Sequence, residues 1–312
     1  MKLLVTGGAG FIGSHIVDAA IAAGHDVGVV DDLSTGNREW VNASARFYQA
    51  DIRDALLDDI LAVERPEVVC HQAARANVRE SLDKPILYAD VNILGSLQLL
   101  ECCRRYGVRK VVYASTGGAV YGEPQSLPVG EEHPVNPLDP YGASKHHVEH
   151  YLYLYRHNFG IDFTILRYPN VYGPRQDPSG EAGVVSIFAM KMLQKDRPVI
   201  NGDGHQLRDF MYIADVVQAN LKAFESGSGG VYNVGWGCGV SVNQIYDLLS
   251  HLTGFQGEKS HGPAKQGEVS KIYLDASRAR QDLNWSPTVG LEEGLRRTVE
   301  FLHEQVCLKA SA

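Results

Sequence analysis

The feature that most narrows what this chain can become is the run KLLVTGGAGFIG near its start, where Gly8, Gly10 and Gly13 spell GxGxxG between a strand-like stretch and a helix-like one. Gly7 adds a second frame with Gly10 and Gly13. Absent side chains let the backbone turn tightly, let a pyrophosphate approach, and let the helix pack close with its first N–H groups facing the phosphates. The same glycines also suit a plain strand–helix turn, so context decides. Asp31 ends the next strand-like run, about 20 residues on, where a carboxylate accepts ribose hydroxyls. That charge, with Asp32 beside it, repels a 2′-phosphate and favours NAD over NADP. Asp51 ends a later strand, where it either reaches the adenine or caps the strand end.

Strand-like runs KLLVTG, DVGVVD, ARFYQAD, EVVCHQA, RKVVYAST and DFTILRY alternate with helix-period stretches at about 11–23, 54–64, 85–106 and 141–158. That rhythm predicts an α/β fold, a Rossmann doubly wound parallel sheet covered on both faces. After Asn170 the chain turns to Pro/Gly-punctuated segments, which predict a smaller C-terminal substrate-binding lobe. The expected division is 1–170 with a returning segment at about 209–235, and a lobe of 171–208 and 236–312.

An apolar content of 44% over 312 residues supplies a large core, while a formal charge of −8 argues against nucleic acid as the partner. No apolar run reaches eighteen residues, and the N-terminal one is too short for a signal peptide, so no membrane span is expected. Five cysteines without CxxC spacing fit a cytoplasmic, reduced chain with no metal site.

Chemistry concentrates in PYGASKHHVEHY. Tyr141 and Lys145 stand four apart on a predicted helix start and share a face. A tyrosine is a poor base at neutral pH, but a neighbouring ammonium and a nicotinamide cation stabilise its phenolate. Ser115 and Thr116 end a strand at the sheet edge where open α/β folds bind ligands, and a hydroxyl there relays the proton or holds the sugar oxygen.

TGGAGFIG, Asp31, HQAA, ASTGGAVYG, YGASK and RYPNVYGPRQ together resemble the extended short-chain dehydrogenases of the NAD-dependent epimerase/dehydratase family, bacterial UDP-glucose 4-epimerases above all. The resemblance runs over nearly the whole chain. It implies that Tyr141 is the base, that Lys145 binds the nicotinamide ribose and lowers the tyrosine pKa, and that Thr116 or Ser115 is the hydroxyl partner. TGGAVYG carries one residue more between its hydroxyl and VYG than the second Ser of the commoner SSATVYG does, which leaves that register open. Further NAD contacts are implied at Gly7, Gly10, Phe11, Ile12, Asp31, Asp32, Asp51, Ile52, Gln72, Ala73, Ala74 and Asn92. On the substrate side the implied positions are Asn170 and Arg208 for the diphosphate, with Lys265 where relatives carry Arg, and Glu268 for the uridine ribose. Val184, Val185 and Asn201 are implied for the uracil pocket, although core packing serves the two valines equally well. Ile272 replaces a bulky Tyr of some relatives and implies room for N-acetylhexosamines. Dimerisation is implied through the helices at about 94–103 and 146–154.

Family members share removal of the sugar O4 proton and hydride transfer from C4. A dehydratase then needs an acid pair after the Thr, where this chain has Gly117 and Gly118. Simple 4-epimerisation of a UDP-hexose is therefore expected, with UDP-glucuronate as an alternative substrate if Arg75 or Arg175 meets its carboxylate. Two readings come from other classes. One is a silent NAD-binding regulator, which the intact Tyr141 and Lys145 argue against. The other is a zinc peptidase, because His146, Glu149 and His150 spell HxxEH.

Overall fold

Strands built from near-continuous Val, Ile and Leu have no polar face to give to water, so their sheet must be covered on both sides. The computed structural model describes residues 1–178, 183–264 and 269–311. The first part comprises β1 (Lys2–Thr6), α1 (Phe11–Ala22), β2 (Asp26–Asp31), β3 (Arg46–Gln49), α2 (Leu56–Glu64), β4 (Val68–His71), α3 (Val78–Asp83), α4 (Pro85–Tyr88), α5 (Gly95–Tyr106), β5 (Lys110–Thr116), α6 (Pro140–Phe159) and β6 (Asp162–Tyr168). There follow β7 (Asn170–Tyr172), α7 (Val184–Leu193), β8 (Val199–Asn201), β9 (Leu207–Arg208), β10 (Phe210–Tyr212), α8 (Ile213–Ala223) and β11 (Gly230–Asn233). The last elements are β12 (Val240–Ser241), α9 (Val242–Thr253), β13 (Ser260–Gly262), β14 (Lys271–Ile272), α10 (Ser277–Asp282) and α11 (Leu291–Ser311).

Among the described residues the main sheet has seven strands in the order β11-β6-β5-β4-β1-β2-β3. All its pairings are parallel. The order reverses between β1 and β4, and there the strand ends open a crevice. Alternate residues face opposite ways. Leu3, Val5, Val29, Val112 and Leu166 join a core with α1 and α8, while Leu4, Val30, Val111, Tyr113 and Ile165 join a second core with α2, α5 and α6.

The helix expected over 85–106 is continuous but carries a π-helical stretch at Ala89–Leu94. By length and composition this run is apolar enough to cross a membrane. Its apolar residues Leu99, Leu100, Cys102 and Cys103 are instead buried in the second core. Beyond β6 the strands are short and form small sheets, β10-β7, β12-β9-β14 and β13-β8. Helices α7, α9 and α11 pack on one another beside them.

Candidate active site

Gly7 holds φ at +69°, a backbone state that favours glycine, and a Cβ there would lie 2.7 Å from the Ala73 nitrogen. A Cβ on Gly13 would sit 2.0 Å from the Gly7 carbonyl oxygen. These two glycines bring α1 down onto the turn after β1. Gly10 caps α1 with no side chain, and its N–H donates to the Gly7 carbonyl at 3.1 Å. The first-turn N–H groups of α1 thus have no competing side-chain acceptor at the cap. Behind the turn, Asp31 is 7% exposed and accepts from the Ala9 N–H at 2.9 Å and the Leu33 N–H at 2.8 Å. Burial raises its pKa, and the two N–H donors oppose that shift. The fixed carboxylate retains lone pairs for ribose hydroxyls. A glycine cradle beside a held carboxylate fits a dinucleotide.

The turn opens on a cleft of about 290 Å³. Gly7, Gly10, Phe11 and Ile12 contribute from the turn, and Asp31, Asp32, Asp51 and Ile52 from the ends of β2 and β3. Gln72, Ala73 and Ala74 enter after β4, and Tyr141 and Lys145 from α6. Asp51 accepts from the Arg53 N–H at 2.8 Å and pairs with its guanidinium at 2.6 Å, so it caps its own loop while lining the cleft. Asn92 does not line the cleft. It sits in the π-helical stretch, donates to Ser144 Oγ at 2.8 Å and to the Arg75 carbonyl at 3.0 Å, and braces the loop after β4 against α6.

Asp139 caps α6 by accepting from the Gly142 N–H at 2.7 Å, and Pro140 starts the helix with its φ preset. The cap fixes where Tyr141 and Lys145 point. Burial pushes the Tyr141 phenol up to about 12, with the Thr116 hydroxyl beside it pulling the other way. Burial pushes the Lys145 ammonium down to about 7, with Glu149 opposing, and its Nζ lies 4.3 Å from the Tyr113 ring centroid. Neighbours on one strand face opposite ways. Ser115 lines the cleft with Tyr141 and Lys145, yet its Oγ donates to Glu149 Oε1 at 2.5 Å, whereas the Thr116 hydroxyl bonds Tyr141. The expected result is that Thr116→Ala lowers kcat by about a hundredfold, and Ser115→Ala by under about tenfold. Steady-state rates of the two variants check this, and equal losses would put the hydroxyl partner back in question.

A small pocket next to Thr116 is lined by Gly117, Gly118, Asn170, Asp209, Ile272 and Leu274. A Cβ on Gly117 would meet Leu274 at 2.4 Å. On Gly118 it would have room, 3.8 Å from Thr116 Oγ1 and 3.9 Å from Asn170 Oδ1. Asp209 is anchored by N–H groups of Trp236, Gly237 and Leu274, and burial raises its pKa to about 6. Arg208, on β9, donates to the Leu207 carbonyl at 2.9 Å. Val185 is fully buried in the main core, and Val184 packs partly buried against the same core. Asn201 ends β8 and accepts from Gln206 Nε2 at 3.1 Å; like the two valines it does not line this pocket. Lys265 and Glu268 lie outside the described residues.

The zinc-peptidase pattern does not survive the fold. Glu149, the acid that would activate water, is buried and clamped by Arg167, with Nε at 2.9 Å and Nη2 at 2.5 Å. His150 is exposed and stacks on Tyr153. Arg167, the first residue of RYPNVYGPRQ, carries no role in the sequence pattern, although a cation near the end of the apolar strand DFTILRY signals a buried partner.

A family model described as the NAD dependent epimerase/dehydratase family matches residues 3–235. A UDP-glucose 4-epimerase from Mycolicibacterium smegmatis is 43% identical over 311 residues, 98% of this chain and 99% of that protein. The structure of a UDP-glucose 4-epimerase from Thermotoga maritima with UDP-glucose is 47% identical, with a TM-score of 0.97 over 98% of this chain and 100% of that one. A Thermus thermophilus UDP-glucose 4-epimerase in complex with NAD is 43% identical, with a TM-score of 0.93 over 97% and 99% of the two chains. The chain therefore belongs to the NAD dependent epimerase/dehydratase family.

Proposed function

We propose that this protein is an NAD-dependent UDP-hexose 4-epimerase that interconverts UDP-glucose and UDP-galactose. When bound, NAD supplies a reversible hydride acceptor for C4 of the sugar. The chain's own residues handle the proton. Tyr141 takes it from O4 and returns it, Thr116 hydrogen-bonds at the same point, and the Lys145 ammonium favours the phenolate. Asn170, across the small pocket from Thr116, holds the substrate beside the base.

The observation that carries the choice of reaction is the Gly117–Gly118 pair directly after Thr116. A dehydratase needs an acid after its Thr, and here that position has no side chain, with Thr116 and Asn170 as its neighbours. With no acid directly after Thr116 to expel water across C5 and C6, a keto sugar turns and takes hydride back on its other face. A uronate substrate finds less support: Arg175 pairs with Asp18 at 2.8 Å, and Arg75 lines the large cleft rather than the small pocket.

The test is incubation of the protein and NAD with UDP-glucose, UDP-galactose, their N-acetyl forms and UDP-glucuronate, followed by separation of products. We expect UDP-glucose and UDP-galactose to interconvert at unchanged mass. The buried Ile272 beside the pocket leaves the N-acetyl forms as substrates too. A product of altered mass, or turnover of none of them, would refute the proposal.

The remaining features fit a cytoplasmic homodimer. Leu94, Tyr153 and Phe159 leave apolar side chains exposed on the neighbouring helical runs of α5 and α6, and Cys70, Cys102 and Cys103 are buried free thiols. We also divide the chain into an NAD-binding domain over 1–170 and a substrate-binding lobe of 171–208 and 236–312. The pairing of β11 with β6 supports a return of 209–235 to the first domain.

A further inference from the structure

Glu149, stripped of any zinc role, still lacks an explanation. A buried ion pair adds little stability over an apolar pair of the same shape, because both charges lose their hydration. Glu149, one helical turn from Lys145 on α6, and Arg167 on β6 are nonetheless both buried. The carboxylate gathers three elements: it accepts from Arg167 on β6 and from Ser115 at the end of β5, and it lies 3.2 Å from His146 Nδ1 on its own helix. Arg167 passes the chain on, donating to Tyr121 Oη at 2.9 Å, which donates to Asn233 of β11 at 2.7 Å. Helix α6, which bears Tyr141, is thereby fastened to the strand end that bears Thr116.

The groups facing Lys145 set its charge. On β4, burial holds His71 down to about 3 and hence neutral, and on β5 burial holds the Tyr113 phenol far above its usual range. Tyr141 and Glu149 share its helix, and Arg167 lies across Glu149. Arg167 overrides burial and keeps Glu149 ionised, at about 2. Among the described residues, Glu149 is therefore the anion whose field keeps a proton on Lys145.

We propose that Glu149 is a positioning residue that keeps Lys145 charged and holds the Tyr141 helix at its working distance from Thr116. This rests on the assignment of Tyr141 as base and Lys145 as its charge partner. An ammonium is present below its pKa, so removing the neighbouring anion moves its loss to lower pH.

The test compares the holoenzyme with its Glu149→Gln variant from neutral to alkaline pH. The expected result is a kcat lower by about tenfold or more, a KM for UDP-glucose within about twofold, and an alkaline fall in kcat displaced about one pH unit downward. Glu149→Asp keeps the charge but shortens the clamp, so kcat drops while the alkaline limb stays in place. If Glu149→Gln does not fold, that variant carries the test, and native kcat in it overturns the positioning role. A second readout needs no turnover: the pH dependence of acetylation of Lys145 by acetic anhydride, followed by mass spectrometry, moves in the same direction in Glu149→Gln. An unmoved alkaline limb with unmoved Lys145 acetylation overturns the charge role. A native protein that turns over no UDP-sugar instead overturns the function, and Lys145 acetylation still decides whether Glu149 holds the charge.

Discussion

Replacing Tyr141 by Phe is expected to lower kcat by at least about a thousandfold while the protein binds NAD as before. The substitution removes one oxygen and keeps the ring, so the wall of the cleft survives. Without help, a phenol pushed up to about 12 is a hopeless base. Only about one molecule in a hundred thousand is ionised at pH 7. Lys145 and the positive nicotinamide must recover several pKa units, and Tyr141 is the group whose side chain bonds the Thr116 hydroxyl. Steady-state rates together with the NAD content of the purified variant check the prediction. Activity within tenfold of native would place the base elsewhere.

Gly13→Ala is expected to weaken NAD binding by about a hundredfold or more, with a fall in Tm. A Cβ at this position meets Gly7's carbonyl oxygen at 2.0 Å, its carbon at 2.8 Å and the Gly8 Cα at 2.9 Å. All three are backbone atoms, so no rotamer relieves the overlap, and overpacking of this kind typically costs about 1–3 kcal/mol. The strain is released by lifting α1 off the turn. That motion withdraws the helix N–H groups from the pyrophosphate. Calorimetric titration with NAD beside a thermal melt distinguishes the two effects. A variant that binds NAD as tightly as the native chain would show that the turn does not carry the phosphates.

The first half of the chain is legible because its periods are long and clean. Strands such as KVVYAST and DFTILRY leave no polar face, and the helix opened by Asp139 and Pro140 carries its own start signals. The Tyr141–Lys145 pair is legible for the same reason, since helical spacing alone places both on one side. Ser115 and Thr116 are not separable in sequence. A shift of one residue exchanges the faces of a strand, and the extra residue in TGGAVYG blurs that register. The bonds of Asn92 to Ser144 and the Arg75 carbonyl are not legible either, because they join its π-helical stretch to other elements. The HxxEH pattern misleads because a motif does not show which of its residues face inward, and Arg167 stands on another element. After Asn170, strands of two or three residues such as Leu207–Arg208 and Phe210–Tyr212 are too short to leave a period.

The place of β11 at the edge of the main sheet reaches into the biosynthesis of the chain. Strand β6 is made well before its neighbour β11, with α7 and α8 still to be synthesised between them. A nascent chain leaving the ribosome thus displays β6 as a bare edge, its N–H and C=O groups open to pairing with another chain. Asn233, the far end of the Glu149 clamp, arrives on that same late strand. The catalytic helix gains its full set of anchors only when the sheet's last strand has docked, and until then the edge of β6 stays open to pairing with another chain.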